Sequence, residues 1–225
     1  MNPLLGWYLF FLGVAAGCVL VTLTVYQKVT PRWLRWLLLA LGLLTVSRYV
    51  TMALAALSDD PRRWWALRHC WFASTIGLTT PAVLVIDQLL RHPALSPKKM
   101  LRWFSPFLIA YLVIILLGRY ETRQDPVAGW VPMLVGWSRL LLSLVQTLFV
   151  CGFAVICVLA MRLMRSRSVR GALAALLIGF LYLGLDGILL ALGRTYFRPF
   201  LFSEMLTLLA LGHAYDVALR RASSA

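Results

Sequence analysis

The sequence predicts an all-α, polytopic membrane protein: a bundle of seven transmembrane helices with the N-terminus outside and the C-terminus in the cytoplasm. Three observations predict it. Of 225 residues, 61% are hydrophobic and only 13% charged, with a mean hydropathy of +0.83, whereas a soluble domain carries about 25% charged residues. The apolar residues gather into seven runs, and a crossing needs about 20 of them. The Lys and Arg residues alternate between the two sides of those runs. One membrane domain over 1–221 and a short, disordered cytoplasmic tail over 222–225 then use the whole length, which excludes a kinase or nucleotide-binding domain within it.

The runs are 4–27, 33–57, 64–90, 103–118, 137–161, 171–193 and 200–220. The first, within MNPLLGWYLFFLGVAAGCVLVTLTVYQK, lacks a basic n-region and is too long for a signal-peptide core, so it reads as a retained span. The fourth is the shortest and opens WFSP. The connection 119–136 is the longest and is expected outside, with a short interfacial segment. Thirteen of the 22 Lys and Arg sit in four clusters: Lys28, Arg32 and Arg35; Arg91, Lys98, Lys99 and Arg102; Arg162, Arg165, Arg167 and Arg170; Arg220 and Arg221. They follow runs 1, 3, 5 and 7, and positive residues accumulate on the cytoplasmic side. The net charge of +14 therefore belongs to loops that meet lipid, and nucleic acid is not expected. Trp7, Trp33, Trp36, Trp64, Trp65, Trp103, Trp130 and Trp137 fall near run ends, where indole rings prefer the interface. Cys18, Cys70, Cys151 and Cys157 lie in apolar segments without metal-ligand spacing, so no metal or other cofactor is expected.

Seven charges remain inside the runs: Arg48, Arg68, Arg139, Asp87, Asp186, Glu204 and Asp216. Charge at membrane depth is costly, and each such residue is a candidate site residue. Counted from the outer end of each run, Arg139 lies ~3 Å in, Arg68 and Glu204 ~6 Å, Asp186 ~10 Å and Arg48 ~14 Å. Five helices thus bring charge to the outer half. Helical spacing adds Ser143 and Gln146 to the face of Arg139, Thr75 and Thr79 to that of Arg68, and Tyr182 to that of Asp186. A cavity lined by Arg48, Arg68, Arg139, Asp186, Glu204, Gln146, Thr75 and Tyr182 would carry surplus positive charge and suit an anionic or carboxylate ligand. The same residues can equally form interhelical ion pairs, such as Arg48 with Asp186, or part of an ion pathway. A second group, Asp87, His213 and Asp216, is expected in the inner leaflet.

Other chemistries find no support. The lysines, Lys28, Lys98 and Lys99, all fall in loops, so no Schiff base to retinal is possible inside the membrane. His69, His92 and His213 lie at different levels and cannot bracket a haem. Asp186 and Asp216 differ too much in depth to share one proton as a protease dyad must.

The blocks SRYVTMALAAL, RRWWALRHCWFASTIGLTTPAVLVIDQLL and LSPKKMLRWFSPFLIAYLVIILL set a Trp-led third span with a proline midway before a fourth span opening near a proline. Trp64, Pro81 and Pro106 hold those places. In this layout the chain resembles the N-terminal seven-transmembrane sensory region of bacterial histidine kinases, without the kinase. The resemblance implies a sensor of the bacterial inner membrane whose output passes to a membrane or cytoplasmic protein partner, through loops such as RHPALSPKKMLR and RLMRSRSVR. The expectation is a ligand-binding sensor or signalling component without catalytic output. Its competitors are an accessory or assembly subunit of a larger membrane complex and a small solute transporter.

Overall fold

The computed structural model describes residues 3–29, 32–92, 95–125, 127–191 and 201–223. Seven α-helices occupy most of them: α1 (Pro3–Val29), α2 (Arg32–Leu57), α3 (Ala73–Leu90), α4 (Pro97–Leu117), α5 (Trp137–Leu163), α6 (Arg167–Ala191) and α7 (Leu201–Ser223). Six spans, α1, α2, α3 with the segment that leads into it, α4, α5 and α6, are long and apolar enough to cross a membrane, so the chain is an integral multi-pass membrane protein. α7 is not among them. It carries Glu204, buried against protein, and His213, Asp216, Arg220 and Arg221, of which His213 and Arg220 are exposed.

Neighbouring helices in sequence pack against each other, and α7 returns to α1, closing a ring. Across that ring α3 also meets α7, and these two form its centre. Both are rich in small or hydroxylated buried residues, among them Ser74, Gly77, Thr79 and Ala82 on α3 and Ser203, Thr207, Ala210 and Ala214 on α7. Close approach through small side chains is how helices gain contact where no hydrophobic drive separates lipid from protein. Gly77 shows the tolerance: a Cβ there would lie 1.8 Å from Thr45 Oγ1 on α2. By contrast, α4 and α5 keep Trp103, Ile109, Leu117, Leu140, Leu148 and Leu163 on the outside, as lipid-facing helices do.

The structure departs from the sequence expectations at several points. The third span opens as a 3₁₀ helix (Trp65–Phe72) before α3, preceded by a 3₁₀ turn (Pro61–Arg63) that Asp60 caps through Arg62 N at 2.9 Å. The fourth span begins at Pro97, where Ser96 accepts from Lys99 N, so Pro106 stands inside α4 instead of at its start. α7 continues to Ser223, so Ala222 and Ser223 are helical instead of a disordered tail. The last two residues of run 6, the first of run 7, and Arg194 and Arg198 lie outside the described residues.

The connection 119–136, expected outside with a short interfacial segment, is not helical among its described residues. It forms an antiparallel hairpin of β1 (Tyr120–Asp125) and β2 (Gly129–Leu134), registered from Tyr120 opposite Leu134 to Asp125 opposite Gly129. Asp125 Oδ1 accepts from Val127 N at 2.9 Å and Ala128 N at 3.0 Å, the side-chain turn that Asp makes readily. Gly129 has φ +69°, and a Cβ on it would come within 2.3 Å of the Ala55 carbonyl; only glycine suits that contact. The hairpin thereby rests on the end of α2, and Trp130 Nε1 donates to the Asp59 carbonyl at 3.1 Å.

Candidate functional site

Beneath this cap, α2, α3 and α7 meet through one ion pair. Arg48 Nη2 lies 2.9 Å from Glu204 Oε1, with the side chains only 5% and 3% exposed. Glu204 also accepts from Tyr49 Oη at 3.0 Å and from Ser74 Oγ at 2.9 Å. Both carboxylate oxygens are thus engaged, as a buried charge requires. Arg48 Nε and the Tyr8 hydroxyl, by contrast, are buried without a hydrogen-bond partner among the described residues. Tyr8 of α1 lies within electrostatic range of both charges.

The pairing corrects the depth estimate. Arg48 stands ~14 Å from the end of α2, yet it is level with the first turn of α7. α2 therefore rises past the start of α7, and the hairpin wraps the part that protrudes. Counting from helix ends fails because the helices do not start at one height. For the same reason Glu204, not Asp186, is the partner of Arg48.

A second set of contacts continues from this pair. Asp186 on α6 accepts a hydrogen bond from Ser203, next to Glu204. Gln146 Nε2 on α5 donates to Thr75 Oγ1 at 3.2 Å, next to Ser74. Gln146 Oε1 also approaches Gly187, beside Asp186, at 3.9 Å from where a Cβ would stand. Thr75 bonds Tyr111 of α4, whose hydroxyl reaches the Phe72 carbonyl at 2.5 Å. Arg48 and Glu204, Gln146 and Thr75, and Ser203 and Asp186 thus form three polar contacts that adjoin through the chain neighbours Ser74–Thr75 and Ser203–Glu204 and draw on α2, α3, α5, α6 and α7.

Arg68, Arg139 and Tyr182 are not tied into those contacts by any of these bonds. Arg68 sits in the 3₁₀ segment, whose three-residue turn breaks its alignment with Thr75 and Thr79. Its guanidinium donates to the Trp65 carbonyl at 3.0 Å and lies 5.0 Å from the Trp65 ring and 5.8 Å from that of Tyr120. This is a cation–π arrangement within the cap. Tyr120 Oη donates to the Ile115 carbonyl at 2.6 Å, and its pKa is pushed up to about 12, chiefly by burial, with Arg68 opposing. Arg139 and Tyr182 are half-buried on α5 and α6. Of the hydroxyls beside Arg48, Ser47 and Thr51 bond back to the carbonyls of Leu44 and Ser47 on their own helix.

The expected inner group does not assemble. Asp216 pairs with Arg220 one turn along α7 at 2.8 Å, with side chains 38% and 80% exposed. His213 is exposed on the same side. Asp87 instead lines a cavity of about 300 Å³ with Ala218 and Ala222, which stand ~140° and ~180° around α7 from His213. A second, nearly closed space of about 10 Å³ lies mid-bundle beside Thr22, Thr45, Gly77 and Pro81.

Sequence reasoning missed Tyr8, Tyr49, Ser74 and Ser203. Tyr49, Ser74 and Ser203 are chain neighbours of Arg48, Thr75 and Glu204, and a single helical face excludes adjacent positions. A site enclosed by several helices uses both. Comparison of the sequence with protein-family models and with curated proteins gives no match, so the functional reading rests on this geometry.

Proposed function

We propose that this chain is a seven-helix sensor or signalling component of a bacterial inner membrane, with α7 as the seventh span, the N-terminus outside and the C-terminus cytoplasmic. An anionic or carboxylate ligand arriving from outside competes with Glu204 for Arg48, which releases α7 from α2 and α3. The changed α7 position is passed to a membrane or cytoplasmic protein partner at the basic end. The chain supplies recognition and no catalysis.

The observation that carries this reading is the buried Arg48–Glu204 pair joined to three helices. Packed apolar residues would hold the bundle as well as a buried ion pair, or better, because both charges lose their hydration. A pair kept at that cost suits a contact that is made and broken. A ligand carboxylate offers Arg48 the same two oxygens that Glu204 does, and Arg48 Nε has a donor to spare.

The test is thermal unfolding of the detergent-solubilised protein against a panel of small mono- and dicarboxylates, repeated on the R48M/E204L double variant. A stabilising carboxylate that acts on the wild type and not on the variant supports the reading. Gentle extraction and mass spectrometry of what stays bound then identifies the partner. Wild-type behaviour of the double variant, together with recovery inside a large stoichiometric complex, would overturn the sensor reading in favour of an assembly subunit.

A further inference from the structure

The cavity at the other end of the α3–α7 pair holds an acid and a base, Asp87 and Arg91, that do not pair with each other. Asp87 and Gln88 from the last turn of α3, Arg91 and His92 just beyond it, and Ala218 and Ala222 of α7 line about 300 Å³, a volume at the lower end of ligand sites. The alanines leave the space; the four polar residues give it character. Gln88 Oε1 is buried without a donor. Neither Asp87 nor Arg91 has an ion-pair partner among the described residues. Acceptors therefore come from the end of α3, and donors, a guanidinium and an imidazole, from the residues that follow. Arg221 donates to the Leu89 carbonyl and ties α7 to α3 beside the cavity.

An occupant that satisfies both halves carries an anion for Arg91 and His92 and an N–H-bearing cation for Asp87 and Gln88. The position narrows the choice. The cavity opens at the end of a membrane span and is followed in sequence by Lys98, Lys99, Arg102 and Trp103, the last 67% exposed as an interfacial anchor would be. That is headgroup depth. We propose that the cavity binds the phosphoethanolamine headgroup of a membrane aminophospholipid, with the phosphate on Arg91 and His92 and the primary ammonium on Asp87 and Gln88. A choline headgroup has no N–H to give Gln88 Oε1, and a glycerol headgroup has no cation for Asp87. The site is independent of the role of Arg48 and Glu204.

The experiment is native mass spectrometry of the protein released from micelles holding equal amounts of phosphatidylethanolamine, phosphatidylcholine and phosphatidylglycerol. The wild type is expected to retain the ethanolamine lipid about tenfold over either competitor, and D87N to lose that preference. R91G is the second variant. Arg91 has φ 48° and its N–H caps α3 through the Asp87 carbonyl at 2.9 Å, a position where glycine is favoured. The variant is therefore expected to fold as well as the wild type while losing the lipid. Hydrogen exchange slowed over 85–92 by soluble phosphoethanolamine alone would assign the same chemistry to a free phosphoamine. Equal retention of the three lipids, or a preference unchanged in both D87N and R91G, overturns the proposal.

Discussion

At one end of the α3–α7 pair, Glu204 is 3% exposed and bound by Arg48, Tyr49 and Ser74 from two other helices; at the other, Asp216 is 38% exposed and bound to Arg220 of its own helix. The charges are alike and the helix is the same. Depth and surroundings make the first a long-range tie that several helices depend on and the second a local pair that water can replace. Just before Asp216, Tyr215 donates to the Pro81 carbonyl at 3.0 Å and lies tilted against the Tyr26 ring at 4.2 Å, so the two helices are also held by neutral groups. The closed end suits a contact that holds the bundle in one state, and the open end has room for a molecule.

The sharpest way to break this comparison is to remove one carboxylate at each end. E204A leaves Arg48 buried and unpaired and is expected to destabilise the protein by about 3–5 kcal/mol, whereas D216A, at a screened surface pair, is expected to cost under about 1 kcal/mol. Denaturant unfolding in a fixed detergent measures both. Similar losses in the two variants would mean that burial does not separate the two ends. R48M/E204L, with both charges replaced, is expected to recover most of what E204A loses, because no lone charge remains.

A smaller effect tests how closely α2 and α3 must approach for the pair to form. G77A is expected to cost about 1–3 kcal/mol, since its methyl would overlap Thr45 Oγ1. Adding T45A should return part of that loss. If G77A is neutral, the approach of the two helices is looser than the Gly77 contact requires.

The smallest effect concerns the cap. Burial pushes the Tyr120 hydroxyl up to about 12 from its ordinary value of 10.0. The folded state thus holds the phenolic proton after the unfolded state has released it, so the cap is unaffected below the unfolded value and weakens as pH rises through the window between the two. Fluorescence of Trp65, whose ring meets Tyr120 at 6.4 Å, should change over that window. Y120F should remove the change, and a Y120F protein with the same alkaline profile would locate the transition elsewhere.

The helical framework was legible because lipid-facing helices announce themselves by length and apolar composition, and all seven runs overlap helices. The hairpin was not: YETRQD and GWVPML show little alternation, and their pairing depends on a turn made by Asp125 and on the seat that Ala55 and Ala56 offer Gly129. The candidate site was legible as a set of costly charges. Arg48 meets Glu204, Gln146 meets Thr75, and Asp186 meets Ser203 next to Glu204, while Arg68 was carried away by a 3₁₀ turn that no periodicity marks.

By itself the sequence determined that this chain is a membrane-embedded helical protein and that its buried charges need partners, because hydrophobic transfer and the cost of burying charge depend on residue type alone. Only the tertiary structure decided which partners. Helix heights, the Gly77 contact with Thr45, and the hairpin over α2 set Arg48 against Glu204 and not Asp186, and turned Asp87 away from His213 and Asp216 toward a cavity. An ion pair is decided over distances of a few ångströms, and those follow from how whole helices stack.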